Sequence, residues 1–269
     1  MIKSLITVFL FILLPQYILA SSTWEKSLVS GINLSQTGVK DWQQGGENAL
    51  SWQANLQGKF TKKNQRYSWM NQFKLSYGAA KIGDESNRKV ADEIYYNTVY
   101  TFIENKTWNP YLGASLLTQF SKSYNYKTSP KTEISDFFDP AFFTQSAGIS
   151  VKPLQTLSIR SGLSLKETIT NKHTNYSDDK RLKTDIGLEL VCDYSKKLSE
   201  VSKLNSKLDI FSNLKSVHEI DYAWDTSLAV KATEFINVML NLKLLYDQDV
   251  IDTQQVKSFM GLGLSYTLL

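Results

Sequence analysis

From Leu50 to Phe60 the chain alternates without a break. Leu50, Trp52, Ala54, Leu56, Gly58 and Phe60 are apolar or small, while Ser51, Gln53, Asn55, Gln57 and Lys59 between them are polar. A period of two is the mark of an extended strand with one apolar and one polar face. The pattern returns in Trp69, Phe73, Leu75, Tyr77 and Ala79 against Gln72, Lys74 and Ser76, and in Leu157, Ile159, Leu163 and Leu165 against Ser158, Arg160, Ser164 and Lys166. It continues with Ile186 to Tyr194 against Asp185, Glu189 and Asp193, and with Leu204 to Leu214 against Lys203, Asn205, Lys207 and Asp209. Tyr222 to Val230 against Asp221, Asp225 and Lys231, and Val238 to Tyr246 against Asn241, Lys243 and Asp247, complete the strong runs. No helical period of comparable strength competes.

With weaker runs near 26–35, 92–103, 108–121, 141–152 and 257–268, the sequence predicts about twelve strands, an even number that suits closure. The connections alternate in length. Those at 36–48, 81–91, 122–140 and 167–183 are long, and those at 61–67, 104–107 and 153–156 are short. At 195–203 and 213–220 the contrast blurs; it returns with a short 232–236 and a longer 247–256. Short inner turns with longer outer loops are the habit of bacterial outer-membrane barrels. Large rings fall at strand ends: Trp69, Trp108, Phe60 and Phe102 at one end, and Trp52, Tyr77, Phe120, Phe142, Phe143, Tyr222 and Tyr246 at the other. Two girdles around an aliphatic band suit a sheet that crosses a bilayer, whereas a water-soluble sandwich has no need to sort its rings. Inside hydrocarbon an open strand edge is prohibitively costly, so such a sheet must close. The expected fold is therefore all-β, a transmembrane antiparallel up-and-down barrel.

The first twenty residues point to export. Lys3 provides a positive start, Leu5 to Leu14 an apolar core and Ala20 a small residue before Ser21, the layout of a cleaved signal peptide. The expected organisation is a signal peptide over 1–20 and one barrel domain over 21–269, placed in the cell outer membrane. A retained anchor helix fits less well, because Pro15 and Gln16 cut the apolar stretch short of a span. A single cysteine, Cys192, excludes a disulfide framework and a cysteine-based zinc site, and on the apolar face it reads as a small hydrophobe. A net charge of +4 without clustering leaves no footprint for nucleic acid.

Gly31-Ile-Asn-Leu-Ser35, then Trp42-Gln-Gln-Gly45-Gly46-Glu47-Asn48 and Leu50-Ser-Trp-Gln-Ala-Asn55, resemble the amino-terminal signature of a family of Bacteroidetes outer-membrane β-barrel proteins of unknown function. The resemblance implies fold and location, and it brings no catalytic or binding residues. The carboxyl end, Tyr266-Thr-Leu-Leu269, departs from the terminal aromatic that barrel-assembly machinery reads in many such proteins. Expected partners are outer-membrane lipid and lipopolysaccharide, that machinery during insertion, and a small polar solute.

The polar faces nominate the lining of the lumen: Lys59, Lys74, Arg160, Lys166, Asp185, Glu189, Asp193, Lys207, Asp209, Asp225 and Lys243. Opposite signs on neighbouring strands suit cross-strand pairing that stiffens a narrow interior, and equally the polar wall of a weakly selective passage. Trp42, Gly45, Gly46, Glu47 and Asn48 are outer-loop candidates, as a tight reversal or a ligand-contacting loop. His173, near Asp178 and Asp179, and His218, beside Glu219, fall in connections expected to be solvated, and their spacing establishes no hydrolase constellation. Asp247, Asp249 and Asp252 have the oxygen donors for a hard cation but lack the glycine and closing glutamate of a recognised loop. Gly261-Leu-Gly263 precedes no helix and is no dinucleotide fingerprint. No cofactor is expected, and the leading function is non-enzymatic: passage or binding of small polar solutes, with a structural or assembly barrel of plugged lumen as the alternative and a barrel-embedded surface hydrolase behind it.

Overall fold

The computed structural model describes residues 23–39, 47–105, 107–126, 128–171, 173, 181–248 and 250–268. The expected signal segment, the loop residues Trp42, Gly45 and Gly46, and Asp178, Asp179 and Asp249 lie outside them.

Every regular element among the described residues is a strand. They are β1 (Thr23–Thr37), β2 (Ala49–Lys63), β3 (Tyr67–Ile82), β4 (Arg88–Phe102), β5 (Trp108–Thr118), β6 (Ser123–Asn125) and β7 (Thr132–Ser135). There follow β8 (Ala141–Leu154), β9 (Leu157–Ile169), β10 (Leu182–Lys197), β11 (Ser202–Asn213), β12 (Ser216–Lys231), β13 (Ile236–Asp247) and β14 (Ile251–Thr267). Twelve close into one antiparallel barrel, each paired with its chain neighbour and β14 returning to β1, while β6 and β7 form a separate hairpin between β5 and β8. The closing seam registers Val29 with Thr267 and Leu34 with Leu262.

Alternation decides which face each residue takes. Leu163, Ile186, Leu188, Val256, Met260 and Leu262 point away from the lumen and are exposed, Met260 at 75% and Leu163 at 58%. Exposed apolar side chains of this size continue around the whole outer wall, through Leu34, Leu112 and Trp224, far beyond the isolated patches of a water-soluble surface. Rings pair at the strand ends: Trp24 with Trp69, and Tyr100 with both Tyr67 and Phe102, at one end, Trp52 with Tyr77 and Tyr222 with Tyr246 at the other. Phe142 is a correction to the girdle. Adjacent residues of a strand face opposite ways, so Phe142 enters the lumen and only Phe143 can face out.

Turns at the end where β1 begins are short, and side-chain oxygens hold them. Asn64 Oδ1 accepts the amides of Arg66 and Tyr67, and Asn105 Oδ1 those of Thr107 and Trp108, an economical use of asparagine in tight reversals. The opposite end is lopsided. The connections at 38–48, 119–140 and 170–181 are long, whereas two residues, 214–215, separate β11 from β12 and three separate β13 from β14. The longer 247–256 connection expected from sequence is thereby corrected, because β14 begins at Ile251; His218, expected in a connection, belongs to β12.

The hairpin folds over this outer end. Lys122 Nζ lies 2.9 Å from Glu133 Oε2 and 3.4 Å from Asp136 Oδ2. Arg88 and Lys131 sit over the Tyr126 ring at 5.0 and 5.2 Å. On the other flank, Asp139 Oδ1 accepts from the Thr170 hydroxyl at 2.8 Å and the Asn171 amide at 3.0 Å. Phe138, with φ 56°, takes the left-handed conformation at the turn into β8, and its amide donates to the Gln119 carbonyl.

Candidate functional site: a lumen crossed by ion pairs

The lumen-facing candidates form three tiers. In the inner tier Arg160 lies 5.6 Å from the Tyr111 ring centre and 3.7 Å from Asp193, both close along the same wall. The wall here is smooth because Gly148 and Gly162 are direct partners. A Cβ at Gly148 would stand 2.1 Å from the Ser161 carbonyl oxygen, so neither position has room for a side chain. Glu189 faces the same region, interacting with Ser146 and Arg160.

The middle tier crosses the barrel. Lys74 Nζ on β3 lies 3.0 Å from Glu93 on β4 and 3.7 Å from Asp225 on β12. Lys243 Nζ on β13 donates to the other Glu93 oxygen at 2.8 Å. Strands β4 and β13 stand five places apart in the ring of twelve, close to diametrically opposite. A second crossing runs from Lys207 on β11, which donates to the Tyr95 hydroxyl on β4 at 3.0 Å and to Asp209 at 2.7 Å. Long lysine stems let charges rooted in facing walls meet in the middle.

The outer tier is drier. Lys166 Nζ donates to Asp221 and Asp247, each at 2.7 Å, and lies 5.7 Å from the ring centres of both Phe142 and Phe211. Its side chain is 9% exposed. Two carboxylates and two aromatic faces replace the water an ammonium loses here. Asp185, beside this tier, accepts from Asn213 and pairs with Lys183 at 3.0 Å.

Of the sequence candidates, all the lumen residues lie on inward faces, but Lys59 stays exposed with no ion-pair partner among the described residues. The sequence does not nominate Glu93, Tyr95, Tyr111, Asp221, Phe142 or Phe211 for the lumen lining. The sequence places Asp247 on the polar face of its strand and in an acidic trio, without a cationic partner. Asp247 is a counter-charge of Lys166, while Asp252 accepts from the Tyr246 hydroxyl, so these two carboxylates have separate partners. Among the described residues no group of histidine, cysteine and carboxylate side chains is arranged to hold a metal. His173 is not the solvated loop histidine expected. Its side chain is 8% exposed, with Nε2 3.2 Å from Glu133 and 3.9 Å from Asp139 under the hairpin. In the outer loops Asn48 ties two connections together: its Oδ1 accepts from the Val39 amide and its carbonyl from the amide of Gly83, a residue with φ 55°. Glu47 lies against the same glycine.

The hairpin's charges respond to one another. Lys122, hydrogen-bonded to Glu133, holds that carboxyl below its usual range and is itself raised. The Asp136 carboxyl is lowered first by the Phe137 amide and then by Lys122.

A family model described as a protein of unknown function (DUF3078) matches residues 34–124, from β1 into β6. No curated protein matches the chain. Among solved structures, the chain is similar to the translocator domain of autotransporter NalP from Neisseria meningitidis, with a TM-score of 0.42 and 10% identity over 98% of this chain and 95% of that one. It is similar to an outer membrane channel from Pseudomonas putida F1, with a TM-score of 0.42 and 13% identity over 94% and 98%. A porin gives a TM-score of 0.36 and 5% identity over 91% and 100%. The barrel itself rests on this chain's own strand pairing, which closes from β1 round to β14.

Proposed function

We propose that this chain is an integral outer-membrane barrel of a Gram-negative bacterium, exported by its first twenty residues, whose lumen is plugged by its own side chains. On this reading it is not an enzyme and not an open diffusion pore. It offers small polar solutes a binding mouth at its outer end. The apolar outer wall flanked by paired rings supports the membrane setting. Strands such as β12 (Ser216–Lys231), at about 3.3 Å rise per residue, are long enough to cross a band about 25 Å tall at a tilt and still project beyond it.

The observation that carries the plugged reading is the Glu93 carboxylate, held at 3.0 Å by Lys74 and at 2.8 Å by Lys243 from the facing wall. Planar-bilayer recording tests it. Folded wild-type protein is expected to give no steady current steps, and Glu93→Ala combined with Tyr95→Ala to introduce them. Large stable steps from the wild type would contradict the proposal. A surface hydrolase would show itself through phospholipid or peptide cleavage that disappears in His173→Ala; no such activity is expected.

A further inference from the structure

Beneath the β6–β7 hairpin, on the side of the mouth that the Lys166 tier leaves unfilled, lies a cavity of about 220 Å³. Lys89, Asp92, Gln119, Ser123, Ser135 and Lys257 line it. Two of these charges cancel: Lys89 Nζ lies 2.5 Å from Asp92, whose other contacts are donors, the amides of Phe120 and Ser121 and the Ser121 hydroxyl. Lys257 does not cancel. Among the described residues it makes no hydrogen bond or ion pair, although most cations around it are matched. Its direct partner across the β13–β14 ladder is Lys243. Like charges placed opposite one another repel, and Lys243 spends its contact on Glu93, which Lys74 also claims. Lys74, Lys243 and Lys257 thus face only Glu93 and Asp225, and the surplus positive charge sits on the lysine that opens into the cavity. Low-dielectric walls concentrate the field of such a charge and draw in a counter-ion.

We propose that this cavity is a binding site for a small oxyanion, of the phosphate or carboxylate class, with Lys257 as the charge partner and Ser123, Ser135 and Gln119 as hydrogen-bond donors. The inference deepens the proposed function by naming the class of solute taken at the outer mouth, and it rests on that reading. Folded protein in detergent micelles, titrated with inorganic phosphate or with acetate and followed by calorimetry, tests it. Saturable binding of at least one anion is expected, weakened at least tenfold in Lys257→Gln and unchanged in Lys59→Gln, which removes an unpaired lysine elsewhere in the lumen. Heat-modifiable gel migration like that of the wild type establishes that each variant is folded. Absence of saturable binding of both anions, or equal binding in Lys257→Gln, overturns the site. Bilayer recording of the same preparations separates the two readings: an open wild-type channel with Lys257-dependent binding refutes the plug and keeps the site, and a silent channel without binding does the reverse.

Discussion

Lys166 under the outer rim and the Lys74–Glu93–Lys243 group halfway down the barrel both bring charges from separate walls together, yet their settings are opposite. The outer tier has one cation for two carboxylates, sealed by Phe142 and Phe211, with the Lys166 side chain 9% exposed. In the middle tier the group around Glu93 has three lysines, Lys74, Lys243 and Lys257, for two carboxylates, Glu93 and Asp225, and it is wetter, with Lys74 28% and Glu93 18% exposed. A dry site must hold each charge on a fixed partner, as Lys166 holds both carboxylates, because a charge without a partner there has no water to fall back on. A wet site can leave a charge over, and Lys257 is that charge. The same barrel therefore separates a structural use of ion pairs from one that leaves capacity for a ligand.

The comparison breaks most readily at Lys166. Lys166→Met leaves Asp221 and Asp247 facing each other without a cation, and removal of one partner from a buried charge cluster costs about 3–5 kcal/mol. Urea unfolding in lipid vesicles is expected to show a loss of that order, partly recovered when Asp247→Asn is added. Unchanged stability would mean that the outer tier is as wet as the middle one. Glu93→Gln is expected to cost less, about 1 kcal/mol as for solvent-screened pairs, and to be visible mainly as new low-conductance events in bilayers. Tyr95→Phe removes only the Lys207 contact, a loss of about 1 kcal/mol or less, and is expected to leave the bilayer silent while Glu93 remains.

The smallest effect lies outside the barrel, in the hairpin. Glu133 and Asp136 have lowered pKa values in the folded hairpin, so their contribution is present above the ordinary carboxylate values of 4.5 and 3.8 and is lost as pH falls through the lowered ones. Lys122 is raised, so its contribution is complete below its ordinary 10.5 and lost only as pH rises through the raised value. A spin label at Ser129→Cys, in a Cys192→Ala background, is expected to keep constant mobility between these limits and to loosen below about pH 4. Loosening near neutral pH would show that these carboxylates do not hold the hairpin.

Much of the wall was legible in the sequence because one face meets apolar surroundings and the other polar ones. In β9 and β10, leucines and isoleucines alternate with Arg160, Lys166, Asp185 and Glu189, and the register follows. Strand β4 hid its part. Tyr95 and Glu93 face in while Tyr96 faces out and donates to Asn71, so rings on both faces blur the contrast that marks an inward carboxylate. The sequence assigns both Phe142 and Phe143 to the girdle, since strand phase cannot be fixed from the short run after the 119–140 connection. The hairpin was invisible for another reason: its strands are three and four residues long and polar contacts hold it, which leaves no apolar period to detect. Contacts across the lumen depend on the circumference of the closed ring, a property of no local stretch of chain.

The meeting of Lys243 and Glu93 can be measured directly in lipid. Solid-state NMR dipolar recoupling between ¹⁵N at Lys243 Nζ and ¹³C at the Glu93 carboxyl is expected to show strong dephasing, as a 2.8 Å contact between nitrogen and oxygen requires. Absence of dephasing in folded protein would place the two side chains on separate walls of an open passage and contradict the account.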